Sequence, residues 1–230
     1  MATIFWAGDS TVQYNDITTY PQTGIGQVLH LFLKPEVRIE NHAKNGRSTR
    51  DFIDESRLAV IYDRITEGDF LFIQFAHNDE KKENPARYTE PFSDYMINLE
   101  KFVNVARNKK AYPVLITPLE RRGAFVDDWK LGESTHKDYV EAMKRTAKNL
   151  DVPLIDLFSM SRAELERVGA EASKAWYMHV PAGKYPHFPD GLSTDNTHLQ
   201  YAGAVVFGGC VARGLKELGG IYRDLLLDEI

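Results

Sequence analysis

The sequence predicts an α/β sandwich built on one parallel sheet of about five strands. Three observations predict it. Short apolar runs alternate with longer amphipathic stretches along the chain. The runs are rich in β-branched and aromatic residues, which suits buried parallel strands. The stretches between them carry apolar residues three and four apart, the helical period. Strand alternating with helix is the pattern of a parallel sheet covered by helices.

The elements follow in order. Ile4–Ala7 is the first strand, and Gly8-Asp9-Ser10-Thr11 follows it directly. Val37–Glu40 is the second, with Asn45-Gly46-Arg47-Ser48 beyond its end. Phe70–Phe75 is the third and leads into His77-Asn78-Asp79. Phe92, Met96, Leu99, Val103 and Ala106 mark a helix, and Val114–Thr117 is the fourth strand. Tyr139, Met143, Thr146 and Leu150 mark another helix before the fifth strand, Leu154–Leu157. Leu199 to Leu218 reads as a final helix with Ala202, Val205, Val206 and Cys210 inward. Glu80 to Glu90 is charged and irregular, a surface loop. Pro181 to Asp190, with three prolines and His187, is a second loop and a candidate cleft wall.

Ligands of such sheets bind beyond the carboxyl ends of the strands. With strand order 2-1-3-4-5, Ser10, Gly46 and Asn78 become neighbours at one rim. The chain has 230 residues, enough for one core and one domain, residues 1–230. A net charge of −5 argues against a nucleic-acid partner, which needs a basic face. The single cysteine, Cys210, excludes an internal disulfide and reads as a small core residue. No apolar run approaches the roughly 20 residues that cross a bilayer, so no membrane partner is expected. No basic segment precedes a long apolar one, so a cytoplasmic protein is the default expectation. A secreted form whose signal has been removed is the alternative.

The chemistry rests on residues far apart in the chain. Ser10 supplies a hydroxyl nucleophile, and Asp195-Asn196-Thr197-His198 supplies an imidazole base and a carboxylate to orient it. Taken alone, Gly-Asp-Ser is a common turn and Asp-x-x-His an ordinary loop. Their combination at strand ends, with oxyanion donors available, points to acyl transfer. Those donors would be the Ser10 and Gly46 amides and the Asn78 side chain.

These blocks resemble the SGNH (GDSL-type) hydrolase superfamily, whose four defining residues fall on Ser10, Gly46, Asn78 and His198. The rhamnogalacturonan acetylesterase branch is the more similar one. The resemblance is carried by Gly8–Val12, Asn41–Thr49, His77–Asp79, Thr117–Arg122 and Asp195–Leu199, and covers the chain essentially end to end. It implies a flavodoxin-like three-layer α/β/α fold, no cofactor, and removal of acetyl groups from pectic oligosaccharides. By the same resemblance Ser10 is nucleophile, His198 base and Asp195 its orienter. Two positions depart from the family pattern. Ala76 stands where the block usually has glycine, which implies backbone strain beside Asn78. Ile25 stands where an aromatic is expected, which implies altered substrate preference.

Other chemistries are poorly supported. Gly24-Ile25-Gly26 follows no strand and lacks the third glycine of a phosphate loop. No Gly-x-Ser-x-Gly elbow occurs. There is no His-Glu-x-x-His and no cysteine pair, so no metal site is expected. Arg47 and Arg121 are candidates to grip a uronate carboxylate, with surface salt bridges as the plainer account; Arg50 and Arg122 share that ambiguity. His77 is either a structural hydrogen-bonder or a cleft residue. Two alternatives to the acetylesterase stand: an esterase or lipase for another acyl ester, and a non-catalytic carbohydrate-binding relative.

Overall fold

The computed structural model describes residues 2–123 and 125–230. Five strands form one parallel sheet: β1 (Thr3–Gly8), β2 (Arg38–Asn41), β3 (Phe70–Gln74), β4 (Tyr112–Ile116) and β5 (Leu154–Ile155). Their order is β2-β1-β3-β4-β5, so β1 is flanked by β2 and β3 as the sequence predicts. The helices are α1 (Ile25–Val28), α2 (Thr49–Asp54), α3 (Arg57–Arg64), α4 (Met96–Asn108), α5 (Lys137–Leu150), α6 (Leu157–Ala172), α7 (Tyr201–Leu218) and α8 (Gly220–Arg223).

The period-two geometry of the strands divides the core into two layers. Ile4, Trp6, Phe70, Phe72, Val114 and Ile116 face α1, α6 and α7. Phe5, Ala7, Leu71, Ile73 and Leu115 face α2 to α5. This is the three-layer α/β/α arrangement. Both faces of the sheet are covered, which is why the inner strands β1 and β3 are almost continuously apolar and buried, whereas edge strand β2 is polar. No helix among the described residues is long and apolar enough to cross a membrane.

Some details differ from the sequence pattern. In α7 the inward face is Ala204, Phe207, Cys210, Val211 and Leu215, whereas Ala202 is exposed. After the N-cap Gln200, Tyr201 and Ala202 face solvent, and the buried stripe begins at Gly203 and Ala204. β5 stops at Ile155 because Asp156 turns the chain into α6, accepting a hydrogen bond from the Ser159 amide. Phe92 lies in a wide turn, Pro91–Tyr95, ahead of α4 and is exposed.

Candidate active site

β1 delivers Ser10 to the rim. After Gly8 the chain turns sharply, with the Val12 and Gln13 amides donating back to the Asp9 carbonyl. A side chain at Gly8 would begin 3.0 Å from Val12 and 3.1 Å from the Gln74 carbonyl, so only glycine fits beside β3. Asp9 is wholly buried and accepts from the Thr11 amide and hydroxyl at 3.0 and 2.9 Å. Burial raises the Asp9 carboxyl above its usual range, against the pull of the Thr11 hydrogen bonds.

The loop after β2 carries Gly46 at φ +76°, a left-handed backbone that favours glycine. The Gln13 side chain accepts from the Asn45 amide and ties this loop to the Ser10 turn. The loop after β3 carries Asn78, whose amide donates to the Arg47 carbonyl at 3.1 Å and keeps a second N–H free. Beside it, buried Asp79 accepts from the Thr49 amide and hydroxyl and from the Thr89 hydroxyl. These bonds join the Asn78 loop to the start of α2. Burial still pushes the Asp79 carboxyl up to about 7. The Ser10 and Gly46 amides have no acceptor among the described residues. Three donors with spare capacity thus stand at one rim.

The opposite wall comes from the segment before α7. His198 Nε2 lies 3.0 Å from Ser10 Oγ, across 188 positions of chain. His198 Nδ1 lies 2.7 Å from Asp195 Oδ2, which assigns the proton to Nδ1 and leaves Nε2 as acceptor toward the serine. Asp195 Oδ1 accepts from the Thr197 and His198 amides, both at 2.9 Å. Burial alone would raise the Asp195 carboxyl. The hydrogen bond and charge of His198 with the two amides outweigh that and hold it below its usual range.

Ser10, Gly46, His77, Asn78, Arg121 and His198 line one cleft of about 390 Å³. Arg47 does not line it. Its guanidinium is held by Glu55 at 2.9 Å and by the Asn45 carbonyl, so the substrate contact expected from the sequence is not made. Arg121 reaches the cleft but donates to Glu80 at 3.1 Å and to the Thr197 hydroxyl. Its acid is thus largely buried Glu80, while Glu120 pairs with Arg162. His77 is 3% exposed, approaches the Leu119 backbone, and makes no well-formed hydrogen bond; its ring meets His136 edge-on at 4.3 Å. Burial first, then neighbouring His136 and Arg121, keep the His77 imidazole neutral, well below the usual histidine range.

Three residues missed in the sequence also matter. Lys81 and Arg87, from the charged loop, line the cleft together with Gln22. Arg122 is buried and donates to Asn196, Ser173 and the Ala170 carbonyl, bracing the Asp195–His198 segment from behind. His179 adds a 2.7 Å contact to Asn196. The loop from Pro181 to Asp190 is not a cleft wall. Ile25 is fully buried and away from the cleft, so it touches no substrate there. Ala76 has φ 158°, positive but close to fully extended, so the strain it imposes is small. Among the described residues, no group of three or more His, Cys, Asp or Glu side chains is arranged to hold a metal ion.

A model of the GDSL-like lipase/acylhydrolase family matches residues 7–204, which include every block that builds this site. The chain belongs to that family. Within it, the rhamnogalacturonan acetylesterase RhgT of Bacillus subtilis is 41% identical over 97% of this chain and 94% of its own. A rhamnogalacturonan acetylesterase of Emericella nidulans is 36% identical over 97% of this chain and 89% of its own. A crystallised Bacillus subtilis protein superposes with a TM-score of 0.80 at 25% identity, covering 95% of this chain. This chain spans 57% of that longer protein.

Proposed function

We propose that the protein is a serine carboxylic ester hydrolase that removes O-acetyl groups from pectic carbohydrate, with rhamnogalacturonan oligosaccharides as substrate. The hydrogen-bonded row from Ser10 Oγ through His198 to Asp195 is the observation that supports the chemistry. The two named relatives, similar over nearly the whole chain, support the substrate.

Ser10 Oγ attacks the acetyl carbonyl carbon while His198 Nε2 takes the hydroxyl proton. Negative charge moves to the carbonyl oxygen, where the Ser10 and Gly46 amides and the Asn78 side chain donate to it. The ester C–O bond then breaks, and His198 returns its proton to the departing sugar oxygen. Water repeats the cycle on acetyl-Ser10, with His198 again as base, and releases acetate. Asp195 stays ionised throughout and stabilises the imidazolium formed in each half. Arg121, joined to Glu80 and Thr197, acts here as a brace more than as a substrate grip.

Acetate release from acetylated rhamnogalacturonan oligosaccharides, set against acetylated xylooligosaccharides and longer-chain p-nitrophenyl esters, tests this reading. Turnover of the pectic substrate at least tenfold above the others is expected. A preference for long acyl chains would point to a lipase, and no turnover of any ester would leave a carbohydrate-binding protein.

A further inference from the structure

The cleft carries more positive charge than ester hydrolysis needs. Lys81, Arg87 and Arg121 line it, and no carboxylate does, although the chain carries a net charge of −5. The three cations are not equivalent. Arg121 is met by Glu80 at 3.1 Å. The ammonium of Lys81 has no ion pair or hydrogen bond among the described residues, and the one ion pair of Arg87, to Asp51, is long at 3.9 Å. Two positive charges therefore face the cleft without close partners.

The loop that carries them is held by hydrogen bonds at its start, centre and end. Lys81 sits on a turn closed by its amide on the Asn78 carbonyl at 3.3 Å. The far end of the loop is clamped by Thr89, whose amide and hydroxyl donate to Asp79 at 3.1 and 2.8 Å. Arg50 holds the loop centre through the Pro85 carbonyl at 3.0 Å. The Arg87 guanidinium stands 3.4 to 3.6 Å from where a side chain at Gly46 would begin. Arg87 thus stands beside Gly46, and Lys81 lines the same cleft as Asn78, where the carbonyl oxygen of the ester would sit. An acetyl group is neutral, and so is an acetylated neutral sugar. Neither accounts for two uncompensated cations beside the reacting bond, whereas the carboxylate of a uronate does.

We infer that Lys81 and Arg87 form a carboxylate-binding subsite that grips a uronate at or next to the acetylated sugar. This rests on the pectic reading above and adds the residues that select an acidic over a neutral substrate. The carboxylate is bound alike in ground and transition states, so the subsite lowers KM and leaves kcat nearly alone.

A cycle across enzyme and substrate tests it. Acetylated rhamnogalacturonan oligosaccharides are prepared with free carboxyls and as methyl esters, and kcat and KM are measured for the wild type, Lys81→Ala, Arg87→Ala and the double variant. The wild type should prefer the free acid by about 10- to 100-fold in kcat/KM, the scale of charge-assisted hydrogen bonds. The preference should lie in KM, shrink as salt is added, and vanish in the double variant. Equal wild-type rates on both forms, or a double variant that keeps the preference, would overturn the subsite while leaving the esterase intact. A loss of kcat that is the same on both forms would overturn it too, by placing the cations in the chemistry. No acetate from either form, with p-nitrophenyl acetate still hydrolysed, would sink the pectic substrate and the subsite with it.

Discussion

The two walls of the cleft are held by different means. The serine wall is built on the ends of three adjacent strands, β1, β2 and β3, and is locked by groups close in space: buried Asp9 on its own turn, half-buried Gln13 on the Gly46 loop, buried Asp79 on the start of α2. The histidine wall is an irregular segment with no strand beneath it. Asp195 and His198 keep 20% and 33% of their side chains exposed. That segment depends on distant braces: Arg121 on Thr197, Arg122 and His179 on Asn196, and the Met178 amide on the His198 carbonyl. On the proposed reading, the carboxyl rim of the sheet holds the oxyanion donors in place and cross-chain hydrogen bonds hold His198 against them.

Variants on each wall separate these roles, and the largest effect is expected at the proposed nucleophile. Ser10→Ala should lower kcat by about 10⁴-fold or more with the fold unchanged by circular dichroism. Next comes Asp195→Asn, which holds the wrong imidazole tautomer toward Ser10 and should cost about 10³- to 10⁴-fold. On the serine wall, Asn78→Ala should cost roughly 10²- to 10³-fold in kcat with little change in KM, as expected for a donor that strengthens in the transition state. An Asn78→Ala enzyme with normal kcat would make that residue structural.

Arg122→Met probes the braces of the histidine wall. It leaves the serine wall untouched and should cost about tenfold to 10²-fold in kcat, since misplacing the base by a fraction of an ångström is enough. Arg122→Lys should recover part of it. Equal losses in both would speak against hydrogen-bond geometry as the cause.

The smallest effect concerns pH. The folded Asp195 carboxyl titrates below its ordinary range, so its stabilising contribution is present above that range and is lost only as pH falls through the depressed value. Asp195 should therefore stay charged through the weakly acidic range and add no ionisation of its own to the acid limb of the rate profile. A log-rate slope of two on that limb would show that Asp195 protonates in the same window. EDTA should leave the rate unchanged.

Much of the serine wall is legible in the sequence because local rules act there. Apolar runs mark the strands, and Gly8, Gly46 and Asn78 sit where a strand end requires a turn or a donor. The histidine wall is less legible. Asp195 and His198 can be read, but Arg122 gives no local sign that its partners are Asn196, Ser173 and Ala170, all far along the chain. Arg47 misleads for the same reason: it neighbours Gly46 in sequence, yet its side chain leaves the rim for Glu55. Lys81 and Arg87 sit in a segment whose composition reads as solvated loop, and bonds to residues outside it, Arg50 on Pro85 and Thr89 on Asp79, hold it against the cleft.

Covalent trapping tests the central claim most directly. The protein is treated with a serine-directed phosphonate, and the adduct is located by peptide mass spectrometry. One phosphonyl group on Ser10, with loss of esterase activity in proportion to labelling and much slower labelling of His198→Ala, is the predicted result. Full inactivation with the adduct on another residue, or an unlabelled protein that is still an active esterase, would contradict it.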